Sequence, residues 1–141
     1  MKRFLLDSNA VNAFINRHEP FSRCVREARE RAHKIGTCEP VIAELYYGLE
    51  FSATRAPNLV RLERALSEIR CWPFDRQAAR QYGLVAAELR RRGRIIQVID
   101  MMVAAVALSL TNCTVVTTDS DLSEVSGLAV VNWAAPTARD Q

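Results

Sequence analysis

Phe4-Leu5-Leu6-Asp7-Ser8-Asn9 is the stretch that decides how the rest of the chain is read. Its apolar run does not alternate, so Arg3 to Leu6 reads as a short strand buried on both faces. Ser8 or Asn9 can cap a helix that follows through about Asn16. The same strand-then-helix order recurs downstream. Thr114 to Thr118 reads as a second buried strand, and Leu128 to Val131, after Gly127, as the last. Strands alternating with helices imply parallel crossovers. The predicted class is therefore α/β: a three-layer α/β/α domain with a central parallel sheet.

Between these strands the chain punctuates itself. Pro20 suits a first helical turn, and a basic helix is expected from there to about Lys34, stopped by Gly36. Thr37-Cys38 then reads as a short strand. Pro40 opens a helix in which Val41, Leu45 and Leu49, spaced by four, define a buried stripe. Another helix is expected over 58–69. Cys71-Trp72-Pro73-Phe74 reads as an extended connector, because Pro73 disfavours a central strand. Asp75 caps a helix through about Arg92, with Gly93 as its stop. Asp100 is expected to begin a small-residue helix, Met101 to Leu110.

Four acids punctuate apolar segments: Asp7, Glu44, Asp100 and Asp119. An ionised carboxylate beside a core is costly unless it is paired or binds a metal. Asp7 and Asp119 follow predicted strands, at the carboxyl edge where open parallel sheets bind ligands. Glu44 falls in the second turn of one helix, and Asp100 opens another. All four can converge on that edge as one site for a hard cation. Each also has a plainer reading alone: Asp7 or Asp100 as a helix cap, Glu44 as a half-exposed helix acid, Asp119 with Asp121 as a turn. Gly48, one turn after Glu44, costs about 1 kcal/mol in a helix relative to Ala. Either ligand space beside Glu44 or close helix packing would account for it.

Charge points the same way. The net charge is +3, but it is segregated. Residues 70–94 hold seven arginines against two acids, whereas residues 95–132 hold no Lys or Arg at all. An acidic centre with basic flanks suits a metal-dependent enzyme acting on a polyanion. Taken by itself, charge favours the plainer reading, solvated helix faces that carry Arg and Glu together. The chain of 141 residues fits one domain, expected over 1–133, with a frayed tail over 134–141. Four widely spaced cysteines without a C-x-x-C argue for free thiols in a reducing compartment. The first apolar run is too short for a signal peptide and the longest too short to span a bilayer, so a cytoplasmic location without membrane contact is expected.

With these residues on the page the chain resembles the PIN-domain family and, within it, the VapC-type ribonuclease toxins of type II toxin–antitoxin pairs. The resemblance runs from Phe4 to Trp133. Leu5-Leu6-Asp7-Ser8-Asn9 resembles the family's opening L-D-[ST]-N, and Ala43-Glu44-Leu45-Tyr46-Tyr47-Gly48 its A-E-L-x-x-G helix. Arg91-Arg92-Gly93 through Asp100, Ala104-Ala105 and Ala107 resembles R-x-G … D-x-x-[IV]-A-A-x-A. Val116-Thr117-Thr118-Asp119, then Gly127-Leu128 and Asn132-Trp133, resembles the closing V-T-x-[ND] … G-L … N-W. Ile95 stands where many relatives have Pro, Gln97 where many have Gly, and Leu122 replaces a frequent Phe. Asp119 takes the position where many VapC relatives carry Asn.

The resemblance implies a Mg²⁺- or Mn²⁺-dependent endoribonuclease that leaves a 5′-phosphate and a 3′-hydroxyl. Asp7 and Asp100 are its expected main metal ligands, with Glu44 and Asp119 holding waters or a second ion. Asn9, Thr117 or Thr118, and Asp121 are the expected auxiliary residues. Arg90, Arg91, Arg92 and Arg94 are the candidate RNA contacts. The implied substrate is structured RNA, a tRNA or rRNA loop, whose cutting arrests translation. The implied partners are a second copy of the chain and a small VapB-type antitoxin, with operator DNA reached only through the antitoxin. Tyr46, Tyr47, Leu49 and Phe51 are read either as an apolar wall for that antitoxin or as ordinary core. Three rivals stand beside this reading: a PIN nuclease of RNA processing, an inactive RNA-binding PIN domain, and a phospho-acceptor domain. The last needs a partner Lys, and no Lys follows Lys34.

Overall fold

The computed structural model describes residues 1–134. Five strands form one sheet: β1 (Arg3–Leu6), β2 (Lys34–Cys38), β3 (Arg70–Trp72), β4 (Cys113–Val116) and β5 (Ala129–Val131). Their spatial order is β3-β2-β1-β4-β5, and every pairing is parallel. Six α-helices supply the crossovers: α1 (Ser8–Asn16), α2 (Phe21–Glu30), α3 (Glu39–Leu49), α4 (Arg55–Glu68), α5 (Arg76–Arg91) and α6 (Val98–Ser109). A 3₁₀ helix, Ser120–Glu124, follows β4.

Burial shows why the strands read as continuous apolar runs. Successive strand residues point to opposite faces. Leu5 and Leu6 are both fully buried, and Val115 and Val116 nearly so, at 0% and 1% exposure. Both faces of the sheet are therefore covered, and the expected α/β/α layering holds. α6 is built for close packing, with Val103 through Ala107 all buried. Trp133 stacks on Phe4 and Phe21, with ring centroids 4.8 and 5.5 Å apart, and ties the segment after β5 to the start of the chain.

Several local expectations are corrected. α1 is capped by Asp7, whose side chain accepts from the Ala10 N–H, rather than by Ser8 or Asn9. α2 ends at Glu30, and Ala32 takes the left-handed backbone conformation at φ 60°. Gly36 therefore does not stop a helix; it lies inside β2. A methyl group there would stand 2.6 Å from the Arg70 carbonyl oxygen and 2.8 Å from the Trp72 ring, so β2 and β3 approach closely only because residue 36 is glycine. The expected connector 71–74 begins as strand β3 at the sheet edge, and Pro73 sits just beyond it. α6 starts at Val98, two residues before Asp100. β4 ends at Val116, though the Thr117 N–H still reaches the Val131 carbonyl at 3.0 Å. The tail expected beyond Ala134 lies outside the described residues.

β1 is the centre of the sheet. The chain builds outward from it through β2 and β3, then returns to its other side with β4 and β5. Strand order reverses between β1 and β4. In open parallel sheets the crevice beyond the carboxyl ends at such a reversal binds ligands.

Candidate functional site

That crevice holds the acids. A cleft of about 190 Å³ is lined by Asp7, Ser8, Asn9, Glu44, Gln97, Asp100 and Asp119, among others. Asp7 arrives from the end of β1, Glu44 from α3, Asp100 from the first turn of α6, and Asp119 from the loop after β4. The four sequence-predicted acids are thus brought together from four elements. Asp7 is buried, Asp100 and Asp119 are half-buried, and Glu44 is exposed.

Three of the acids, Asp7, Glu44 and Asp119, are held by neighbours. Asp7 Oδ1 accepts from the Ala10 N–H at 2.9 Å, and the Asp7 N–H donates to the Val116 carbonyl at 3.2 Å. The buried Thr117 hydroxyl bonds the Asp7 carboxylate and accepts from the Asp119 N–H at 2.9 Å. One hydroxyl therefore fixes two acids against each other, a bridging role that explains the Thr at this position. The Ser8 hydroxyl donates to Glu44 Oε1 and ties α1 to α3. The buried Thr37 hydroxyl donates to the Leu6 carbonyl at 2.7 Å, anchoring the residue before Asp7. Sequence reasoning missed Thr37 and gave Ser8 only a cap's role. Both contacts span more than thirty residues of chain, so no local signal points to them.

Asp121 stands apart. Its N–H donates to Asp119 Oδ1 at 2.8 Å, but its side chain lines a neighbouring cavity with Gly93, Arg94 and Ile95. Asp119 is the fourth acid of the cleft. Thr118 is exposed. Gly48 neither packs closely nor is crowded, since a methyl group there would meet nothing within 4 Å. Tyr46, Tyr47 and Phe51 are exposed and do not belong to the core, whereas Leu49 is half-buried.

The electrostatics are those of a site short of positive charge. Among the described residues no Lys or Arg lines the cleft. Burial, and then the carboxylates of Asp119, Asp7, Glu44 and Asp121, push Asp100 up to about 6. Burial also raises Asp7, against the lowering effect of its bonds to Thr117 and Ala10. Like charges that each resist ionisation are relieved by a bound cation. The donors are all oxygens, which suit Mg²⁺ or Mn²⁺. Among the described residues no group of three or more His, Cys, Asp or Glu side chains is drawn together closely enough to hold a metal ion by itself. An open set still fits Mg²⁺, which keeps several waters and takes one or two carboxylates together with a substrate phosphate.

The arginine run divides. Arg92 donates to the Glu124 carbonyl at 2.7 Å and pairs with Glu124 and Glu88 at 3.1 and 3.4 Å. It braces the end of α5 against the 3₁₀ helix. Arg94 lies 3.8 Å from Glu124. Arg90 and Arg91 are exposed on the last turn of α5.

Comparison with known proteins identifies the family and agrees with the fold. The PIN domain family model matches residues 4–128. The chain is 31% identical over 138 residues to the tRNA(fMet)-specific endonuclease VapC of Shigella flexneri, covering 95% of this chain and 100% of that protein. It is 30% identical to ribonuclease VapC2 of Haemophilus influenzae, covering 94% and 99%. Among solved structures, VapBC2 from Rickettsia felis bound to a DNA fragment from its promoter superposes with a TM-score of 0.86 at 26% identity, covering 93% of this chain and 98% of that one. DNA-bound VapBC from Salmonella typhimurium gives 0.85 at 27%, covering 94% and 99%.

Proposed function

This chain belongs to the PIN domain family, with VapC ribonucleases among its relatives, and from that premise we propose a Mg²⁺- or Mn²⁺-dependent endoribonuclease that acts as the toxin of a type II toxin–antitoxin pair. The observation that carries the reading is the convergence of Asp7, Glu44, Asp100 and Asp119 at the reversal of strand order. The substrate is structured RNA, tRNA or rRNA, and its cleavage inhibits translation. The inhibitory partner is a small VapB-type antitoxin, through which the complex reaches operator DNA. A homodimer in the cytoplasm is the working form. Among the described residues no helix is long and apolar enough to cross a membrane.

The chain's own residues divide the work. Asp7 and Asp100, whose charged forms burial and neighbouring carboxylates disfavour, would hold the cation. Glu44 and Asp119 orient water on either side of them. Thr117 keeps Asp7 and Asp119 in register, and Ser8 keeps Glu44 turned into the cleft. Asn9 and Gln97, at the rim, offer amide groups to a phosphate or sugar. Bound there, a divalent cation supplies a nucleophilic water at neutral pH and neutralises charge gathering on the phosphate. Arg90 and Arg91 steer the RNA backbone. Arg92 and Arg94 contribute mainly by bracing the loop.

Induced expression in a bacterial host tests the toxin role. The wild type arrests growth and the Asp7→Asn variant does not. RNA cleavage in vitro without arrest in the cell supports the processing-nuclease alternative instead.

A further inference from the structure

The cleft takes Val41 and Glu44 from α3, and the helix face that Glu44 begins runs on past it. Residues three and four apart share a helical face, so Tyr47 and Gly48 continue the stripe that Glu44 begins. Tyr47 is 68% exposed, and Phe51, just past the helix end, is 76% exposed. Their rings meet edge to face at 5.1 Å, so Phe51 extends the same side of α3. Gly48 leaves the floor between them uncluttered, with nothing within 4 Å of the place a side chain would start. Tyr46 differs: it points off this stripe, and its hydroxyl bonds Glu63.

Two large aromatic rings held in water lose burial energy that a core position would recover. Placed one and two turns from an acidic cleft, they form a paired π-surface leading from it. Unpaired bases stack on such surfaces irrespective of sequence, and paired bases have no free face to offer.

We propose that Tyr47 and Phe51 form a stacking platform for unpaired RNA bases beside the cleft, which directs cutting to loops rather than to duplex. This rests on the nuclease reading above, since it names the part of the substrate that the same site admits. Gly48 keeps the path from the platform to Glu44 open.

The test uses the full chain and a hairpin RNA with an unpaired loop carrying 2-aminopurine, beside a fully paired duplex of the same composition. Tyr47→Ala/Phe51→Ala raises KM for the hairpin by about five-fold to a hundred-fold. Its kcat stays within about three-fold of wild type, because neither ring touches the reacting phosphate. In an Asp7→Asn background the loop 2-aminopurine is quenched on binding, and the aromatic variant loses the quenching. Tyr47→Phe behaves as wild type. Tyr47→Leu, which keeps apolar area but has no π-face, behaves as Ala.

Full rescue by Leu overturns stacking. An unchanged KM in the double variant, from a wild type that does cleave, overturns the platform while leaving the nuclease intact. If that variant instead loses its hold on the antitoxin, the surface belongs to a protein partner and the proposal falls. A wild type that neither cleaves nor binds either RNA overturns the nuclease reading, and the platform with it.

Discussion

Replacing Asp100 by Asn should make the metal-free protein more stable at neutral pH, although it removes a ligand. Burial and four nearby carboxylates raise Asp100 from 3.8 to about 6. The folded state therefore holds this proton more tightly than the unfolded chain. The associated stability is fully present below the unfolded value and is lost as pH rises through the folded one. About two pH units correspond to about 3 kcal/mol at most. Asp100 is half-exposed, so screening by solvent reduces this to about 1–1.5 kcal/mol. Its place in the first turn of α6 returns about 0.3–1 kcal/mol to the charged form. The net gain for Asp100→Asn at pH 7 is then about 0–1.2 kcal/mol, or up to about 4 °C in Tm. Thermal unfolding in EDTA from pH 4 to 7.5 reads it. The two proteins should nearly coincide at about pH 4, separate progressively between about pH 4 and 6, and keep a constant gap above about pH 6. With Mg²⁺ or Mn²⁺ at about ten times its dissociation constant, the wild type should gain about 1.4 kcal/mol by linkage. The variant should gain far less. A variant less stable than wild type in EDTA at pH 7, or one with an undiminished response to metal, would refute the electrostatic account of the cleft.

Other perturbations separate the roles assigned here. Gly36→Ala forces a methyl group against the Arg70 carbonyl and should cost about 1–3 kcal/mol in urea unfolding. Ser8→Ala frees Glu44 and should lower cleavage by about ten-fold to a hundred-fold with Tm nearly unchanged. Thr117→Val leaves Asp7 and the Asp119 N–H each short of a partner; it should lose about 1–3 kcal/mol of stability and weaken metal binding measured by calorimetry. Arg90→Ala/Arg91→Ala should weaken RNA binding and flatten its salt dependence by nearly two charges. Arg92→Ala should instead lower Tm and leave that slope unchanged, because its partners are Glu88 and Glu124.

The features legible in the sequence are those set by neighbouring residues. The non-alternating run before Asp7 marks a doubly covered strand, and Leu5 and Leu6 are both at 0% exposure. Asp75 caps α5, and Gly93 follows its end with φ 68°. The four acids are recognisable because each breaks an apolar segment. What escaped reading depends on distant chain. Gly36 resembles a helix stop until β3, more than thirty residues later, is seen lying against it. Of the cap candidates the sequence offers, Asp7 takes the role, while the Ser8 hydroxyl bonds Glu44, thirty-six residues away. Arg92 looks like one more cation beside three other arginines; Glu88, one turn earlier, is a local partner, but the second partner, Glu124, comes from the returning chain. Tyr47 and Phe51 are residue types common in cores, and nothing local says that, among the described residues, they stay exposed.

The central claim is that these acids form a metal-dependent ribonuclease site. Incubating purified, antitoxin-free protein with total bacterial RNA, in Mg²⁺ or Mn²⁺ against EDTA and against Asp7→Asn, tests it most directly. A discrete cut with a 5′-phosphate and a 3′-hydroxyl, present only with metal and only with Asp7, is the predicted result. Folded protein that leaves all RNA intact in every metal, or that cuts equally well in EDTA or as Asp7→Asn, would contradict the account.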